Sequence, residues 1–393
     1  MTHDTSSRSS VLLCGLLWFG LLTMRVESRW ALTAFELALF TLAAAQLVQR
    51  RFAIRPHPIA LLLAAAALWG VLQVALGISV DPQRTLEASL GWTVNCAAFS
   101  LALVLADRRF LSAQLIFALV LSVGAVIGLL TISALGPFIY KNQFANYVES
   151  ILGLAIVAAI QDRRRSLPWL LVAAALFASV VAAGSRAGAI LCLAELILLP
   201  VIGFARGWIS ARSLTRVAAF AVLAGGVFIA VVGWETIWRR FQEPNPYSLR
   251  ANLLRSSIRM VQDRPLAGFG LGAWSAAYPA YARYDDGTFV NQAHNDWVQW
   301  AAEGGLPMLL MIAAVVALLA RPAFDSLWGL GLLVVWIHAW VDYPFEQRPA
   351  LAAFFFAMAG ALVNVSLTAS RVKHRPDESS PVLSPSENSP PAD

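Results

Sequence analysis

Pro58-Ile-Ala-Leu-Leu-Leu-Ala-Ala-Ala-Ala-Leu-Trp-Gly-Val-Leu-Gln-Val-Ala-Leu-Gly-Ile-Ser-Val80 runs for 23 residues without a charged side chain. About 20 apolar residues in an α-helix cross the ~30 Å hydrocarbon core of a bilayer, where the backbone must satisfy its own hydrogen bonds. The stretch therefore reads as a transmembrane helix, and the same pattern recurs. Working outward from it, the apolar runs are 10–27, 31–49, 58–80, 88–106, 111–135, 144–160, 168–183, 187–205, 215–235, 296–320, 326–342 and 350–369. A composition of 59% hydrophobic and 13% charged residues, with a mean hydropathy of +0.66, excludes a soluble fold. The expectation is an all-α polytopic membrane protein of about twelve transmembrane helices with one large extracytoplasmic loop between spans nine and ten.

The chain divides accordingly into a membrane bundle at 1–235 (spans one to nine), a polar loop at 236–295, spans ten to twelve at 296–370, and a tail at 371–393. The tail holds five Pro and five Ser with little to bury and reads as a disordered cytoplasmic end. The first apolar run ends in Met24-Arg-Val-Glu-Ser-Arg29 without a small-residue exit site, so it reads as a retained span.

Basic residues orient the bundle. With the N-terminus in the cytoplasm, sixteen Lys and Arg fall in inner segments, among them Arg50, Arg51, Arg55, Arg163, Arg164, Arg165, Arg212 and Arg216. Six fall in short outer segments, namely Arg25, Arg29, Arg84, Lys141, Arg186 and Arg348. This bias predicts both termini cytoplasmic and the loop facing outward, toward the periplasm if the membrane is the inner membrane of a Gram-negative cell. The loop's seven arginines are the exception, since long loops translocate regardless of charge. Topology accounts for most of the net charge of +6; neither a basic stripe with interleaved aromatics nor a recognition helix points to nucleic acid. Cys14, Cys96 and Cys192 each lie inside a span without a Cys or His neighbour and read as buried apolar residues.

Two features of the loop suggest chemistry. Asn291-Gln-Ala-His-Asn-Asp-Trp-Val-Gln-Trp-Ala-Ala-Glu-Gly-Gly305 sets His294 where polar loop meets apolar helix, and Arg250, Arg255, Arg259 and Arg264 precede it. A titratable base beside fixed cations suits an anionic, lipid-linked substrate at the membrane surface. Leu254, Ile258 and Val261 share a helical stripe opposite Arg255 and Arg259, predicting an amphipathic helix against the bilayer or bundle. Gly268-Phe-Gly-Leu-Gly272 reads as a hinge, and Trp274, Tyr278, Tyr281 and Tyr284 as headgroup anchors or sugar-stacking rings. Plainer readings stand beside these: His294 as a helix cap, Arg186 as a snorkelling arginine, Arg255 and Arg259 as a solvated face. Glu149, Glu195 and Asp342, in or at the ends of spans, are functional candidates or partners of buried arginines. Glu303 lies on the opposite helix face from His294, and His338 reads as a hydrogen-bonded bundle histidine.

Four segments resemble the O-antigen ligase and polymerase superfamily of membrane glycosyltransferases: Lys141-Asn-Gln-Phe-Ala-Asn-Tyr147, Gly184-Ser-Arg-Ala-Gly188, Ser248-Leu-Arg250 with Met260-Val-Gln-Asp-Arg-Pro-Leu-Ala-Gly-Phe-Gly270, and His294-Asn295 followed after nine residues by Gly305. Met308 departs from the ligase pattern, which often carries a small residue or threonine there. The resemblance implies a GT-C-like enzyme that moves a glycan from undecaprenyl diphosphate to an acceptor hydroxyl, such as a lipid A-core sugar, outside the membrane, without metal, cofactor or nucleotide sugar. It further implies His294, Arg186 and Arg250 as catalytic residues, and Arg255, Arg259, Asn142, Tyr147 and Asn295 as contacts to diphosphate or glycan. A polymerase of the same superfamily, or a flippase for a lipid-linked sugar, is the competing expectation.

Overall fold

The computed structural model describes residues 2–49, 56–162, 164, 166–232, 235, 248–282, 287, 289–346 and 348–373. The tail beyond 373, the loop stretch 236–247, Tyr284, Arg50, Arg51, Arg55, Arg163 and Arg165 lie outside the described residues. The described residues form fourteen α-helices and no strand. They are α1 Thr2–Leu22, α2 Trp30–Val48, α3 Pro58–Ala75, α4 Pro82–Leu105, α5 Arg108–Ile132, α6 Lys141–Gln161, α7 Ser166–Ala183, α8 Arg186–Ala205, α9 Ala211–Val232, α10 Ser248–Asp263, α11 Trp274–Ala277, α12 Asp296–Ser326, α13 Leu330–His338 and α14 Pro349–Lys373.

Polar residues set where these helices begin. The Asp81 and Asp107 carboxylates accept from the backbone N–H groups of Arg84 and Phe110, and Pro58 and Pro82 stand in first turns where no donor is needed. Among the described residues, nine helices are long and apolar enough to cross a membrane, and they coincide with nine of the twelve expected spans. The chain is a multi-pass all-α membrane protein. Residues 10–22 of the first expected span lie in α1 and residues 215–232 of the ninth in α9. The eleventh is different. Instead of a helix over 326–342, α13 has nine residues, roughly 13 Å at 1.5 Å per residue, and the chain then turns through Ala339–Asp342. This early stop sets Asp342 in a turn instead of a span.

α6 is the hub of the bundle. Sixteen of its 21 residues are buried, and α7, α8 and α13 pack around it. Small residues permit the approach: a Cβ on Gly188 of α8 would stand 2.4 Å from that of Ala145 on α6. His338 and Glu149 share a 2.8 Å hydrogen bond with both side chains fully buried, so Glu149 is matched by a histidine and not by an arginine.

The loop is fastened to α12. Pro307 cannot donate to the Glu303 carbonyl four residues earlier, which accepts instead from Gly270 N–H (2.9 Å) and the Gln73 amide (2.8 Å). Gly305, at φ 64°, breaks the helix there, and Leu306 N–H turns to the Pro265 carbonyl at 2.7 Å. The Glu303 carboxylate accepts from the N–H groups of Gly272 and Trp274. Gly268–Gly272 is thus a clamp on α12 and not a hinge.

The loop also has its own apolar core, formed by Leu253, Met260, Phe269, Trp274, Tyr278 and neighbours. Trp274 and Tyr278 are buried and stacked at 4.5 Å, so they pack the loop and are not headgroup anchors. The face of α10 buried against the protein is Leu253, Ser256, Ser257 and Met260, while Leu254 and Ile258 are exposed, so the expected apolar stripe does not pack on the bundle. The 254/258 stripe loses because 253 and 257 stand one residue nearer the face that α12 covers.

Candidate active site

His294 sits between the loop and α12, with its backbone in the left-handed region at φ 53°. Such a conformation is uncommon outside glycine and clusters at functional sites. The next residue starts the helix: the Asn295 carboxamide oxygen accepts from Val298 N–H at 3.0 Å. The cap is Asn295, which leaves the His294 imidazole available for other work.

That imidazole faces Asp342. Nδ1 lies 3.6 Å from the Asp342 carboxylate, with the histidine side chain 28% exposed and the aspartate 5%. The distance exceeds a hydrogen bond, as catalytic contacts often do without substrate, and a small ring rotation would close it. Tyr343 packs edge-on against the imidazole at 4.7 Å between ring centres. The two segments are also joined through their backbones. Asp296 N–H donates to the carbonyls of Ala339 (3.0 Å) and Asp342 (3.2 Å), and Phe345 N–H donates to the Asp296 carboxylate at 3.0 Å.

Behind Asp342 runs a polar chain. The Asn142 amide donates to the second Asp342 oxygen, and the Asn142 oxygen accepts from the Ser185 hydroxyl at 2.8 Å. Ser185 also caps α8, accepting from Gly188 N–H at 3.2 Å. Asn142 and Ser185 belong to the first two segments quoted above, so Ser185, Asn142, Asp342 and His294 form one line from α8 to the mouth of the loop. Burial alone would raise the Asp342 carboxyl, but His294, His338 and the Arg250 guanidinium hold it below the usual carboxylate range. A carboxylate at Nδ1 favours the tautomer that leaves Nε2 free to take a proton.

Arg250 belongs to the same site: its Nη1 donates to the Val341 carbonyl at 2.8 Å, one residue before Asp342. Arg186, half-buried, is the first residue of α8 and follows Ser185 directly. The structure therefore brings together His294, Arg250, Asn142 and, through its neighbour, Arg186. Arg255 and Arg259 stay on the exposed face of α10, where Arg255 bonds the Asn252 side chain. Tyr147 is fully buried between Phe138 and Phe354, its hydroxyl without a partner among the described residues. Among the described residues no three His, Cys, Asp or Glu side chains converge as metal ligands.

Residues 169–313, from α7 past the kink of α12, match the sequence model of the family described as O-antigen ligase. Over that stretch the chain is similar to the O-antigen ligase superfamily. The matched stretch holds Ser185, Arg186, Arg250 and His294; Asn142 and Asp342 reach the site from either side of it. No curated protein matches the chain.

Sequence reasoning missed the roles of Ser185 and Tyr343. Ser185 carried a signal, since it precedes Arg186 in a family motif and has N-cap chemistry. Tyr343 carried none.

Proposed function

We propose that this protein is a ligase-like glycosyltransferase that moves a glycan from undecaprenyl diphosphate to an acceptor hydroxyl, such as a lipid A-core sugar, on the periplasmic side of the inner membrane. The observation that carries the reading is His294 against Asp342, on the polar chain through Asn142 and Ser185, with Arg250 beside it.

In this reading His294 Nε2 takes the proton of the acceptor hydroxyl as its oxygen bonds the anomeric carbon. The bond from that carbon to the diphosphate breaks, and the electron pair leaves with undecaprenyl diphosphate. Asp342 orients the imidazole and stabilises the imidazolium, a contribution of the same kind as general base catalysis, ~10²–10⁴ in rate. Arg250 and Arg186 meet the charge growing on the diphosphate, for which a planar fork of donors is well suited. Asn295 supports the helix start beside the base. Arg255 and Arg259 serve arriving anionic lipid from the face of α10. The chemistry uses no metal.

The test is expression of wild type, His294→Ala, Arg186→Ala and Arg250→Ala in a host lacking its own ligase, with lipopolysaccharide and carrier-linked glycan analysed separately. The expected result is long chains on lipid A-core with wild type only, and finished polymer stranded on the carrier with each variant. Single repeat units accumulating in the variants identify a polymerase instead. Full transfer by a normally inserted His294→Ala protein sinks the catalytic assignment, and activity abolished by EDTA and restored by a divalent ion sinks metal independence. Reporter fusions at Arg164 and Ala282 complete the test, with Arg164 expected inside and Ala282 outside.

A further inference from the structure

Arg348, at the start of α14, is a cation whose position the chemistry above does not explain. It is half-buried, and among the described residues its Nη1 reaches the Met24 carbonyl at 3.3 Å while its Nε has no acceptor. Among the described residues no carboxylate pairs with it. A guanidinium carries five N–H donors, and withdrawing it from water without a counter-ion is costly; burial lowers its affinity for a proton, with only the nearby hydroxyls of Tyr140 and Tyr343 opposing.

Arg348 borders a cavity of about 190 Å³ at the outer ends of α1, α2 and α14. Thr23, Ser28, Arg29 and Glu27 give the cavity a polar rim over an apolar floor at Leu32 and Phe35. Arg29 is the N-cap of α2 and makes no side-chain cap bond; Glu87 takes part of its charge in an ion pair. Two helix N-termini, those of α2 and α14, thus open on the cavity with partial positive charge. Among the described residues that line the cavity, Glu27 is an anion at the rim, Arg29 is paired with Glu87, and Arg348 is the cation without an ion pair.

The cavity adjoins the candidate active site through two rings. Tyr343 touches the His294 imidazole on one side and Tyr140 on another, and both tyrosines lie in the electrostatic reach of Arg348.

We infer that Arg348 and this cavity form an anion subsite that holds a phosphate or carboxylate carried by the acceptor glycan, and so positions the attacking hydroxyl at His294. The inference rests on the proposed transfer reaction for its meaning, but the anion site can be tested without catalysis. Because Nε is closed off from solvent, the Nη end of the guanidinium is the part that meets an oxyanion in the cavity.

The experiment uses the purified full-length chain in detergent. Its thermal unfolding midpoint is measured with glucose 6-phosphate and with glucose at equal concentration, for wild type, His294→Ala, Arg348→Lys and Arg348→Gln. The sugar phosphate alone should raise the midpoint of wild type and of His294→Ala, less that of Arg348→Lys, and not that of Arg348→Gln. In the transfer assay, Arg348→Gln should raise KM for a phosphorylated acceptor by about 10- to 100-fold, leave KM for the same acceptor after phosphatase treatment unchanged, and leave donor KM unchanged. Equal shifts with glucose, or a sugar-phosphate shift undiminished in both Arg348 variants, overturn the subsite. An Arg348-dependent shift in nanodiscs of phosphatidylglycerol over phosphatidylcholine, with none from the sugar phosphate, overturns the assignment to the acceptor in favour of a lipid headgroup. Because Arg348→Lys keeps the charge that the fold experiences, misfolding of the Gln variant does not decide the outcome. Loss of transfer in His294→Ala with the anion shift intact separates this site from the catalytic reading.

Discussion

Asn142 donates its amide to the Asp342 carboxylate across 200 residues of chain. The bond ties the first turn of the buried hub helix α6 to the turn that faces His294. It fixes one carboxylate oxygen, so the other is held toward the imidazole. Asp342→Asn should therefore lower kcat by about 10²–10⁴ while leaving the protein folded, because the amide has the shape of the carboxylate. Combining it with His294→Ala should add little further loss, since residues that act as a unit are not additive. Kinetics in reconstituted membranes would check this, and fully multiplicative losses would count against a shared function.

The links further back should matter less. Asn142→Ala removes a hydrogen bond to a charged group and is expected to cost more than Ser185→Ala, which removes a neutral one; typical values are ~1.5–3 and ~0.5–1.5 kcal/mol. Ser185→Ala also removes a helix cap, so its thermal midpoint should fall as well, by the equivalent of ~1 kcal/mol. Asn142→Asp should be worse than Asn142→Ala in transfer, because it sets two carboxylates against each other. A ranking in the opposite order would break the proposed line from Ser185 to His294.

The clamp of the loop on α12 can be tested at Gly268. A Cβ there would stand 2.2 Å from the Glu303 carbonyl oxygen, and φ is 65°, so alanine meets backbone in a strained conformation. Gly268→Ala should lower the thermal midpoint and also impair transfer, since the clamp positions the segment carrying His294. Gly226→Ala in α9, where a Cβ meets nothing within 4 Å, is the control and should be neutral or mildly stabilising. Equal midpoints for the two variants would refute the clamp.

Two carboxyls near the candidate site give opposite pH dependences. Glu346 accepts from the Trp300 indole, yet burial pushes its carboxyl up to about 7. The folded state keeps this proton where the unfolded chain, near 4.5, has lost it, so stability should fall as pH rises from about 4.5 to about 7. Glu346→Gln should reduce the slope of the midpoint over that window. Asp342 is held below its ordinary value near 3.8, so its contribution is present above that pH and is lost as pH falls through the folded value. Asp342→Asn should remove only this acid limb. An unchanged slope between pH 4.5 and 7 in Glu346→Gln would contradict the burial argument.

Much of the protein was legible from the chain alone, for a physical reason. A bilayer demands long apolar helices, so hydropathy and length suffice to find them, as at Pro58–Ala75 and Arg108–Ile132. His294 and Arg250 stood out because polar residues are costly near lipid and draw notice there.

What required the tertiary structure was everything that depends on partners distant in the chain. Apolar content alone made 326–342 look like a full span, whereas the nine-residue α13 ends where the turn at Ala339–Asp342 is bonded to Asp296. The stripe Leu254–Ile258 could face bilayer or bundle, and the position of α12 chose Leu253 and Met260 as the face that packs on protein. The aromatic run at Trp274–Tyr278 reads the same whether it faces headgroups or packs a loop core. Periodicity reports that a face is apolar, and only packing says what covers it. The same limit applies to Asp342: a lone acidic residue near a span's end has many uses, and the fold selected one by setting Asn142 on one oxygen and His294 before the other.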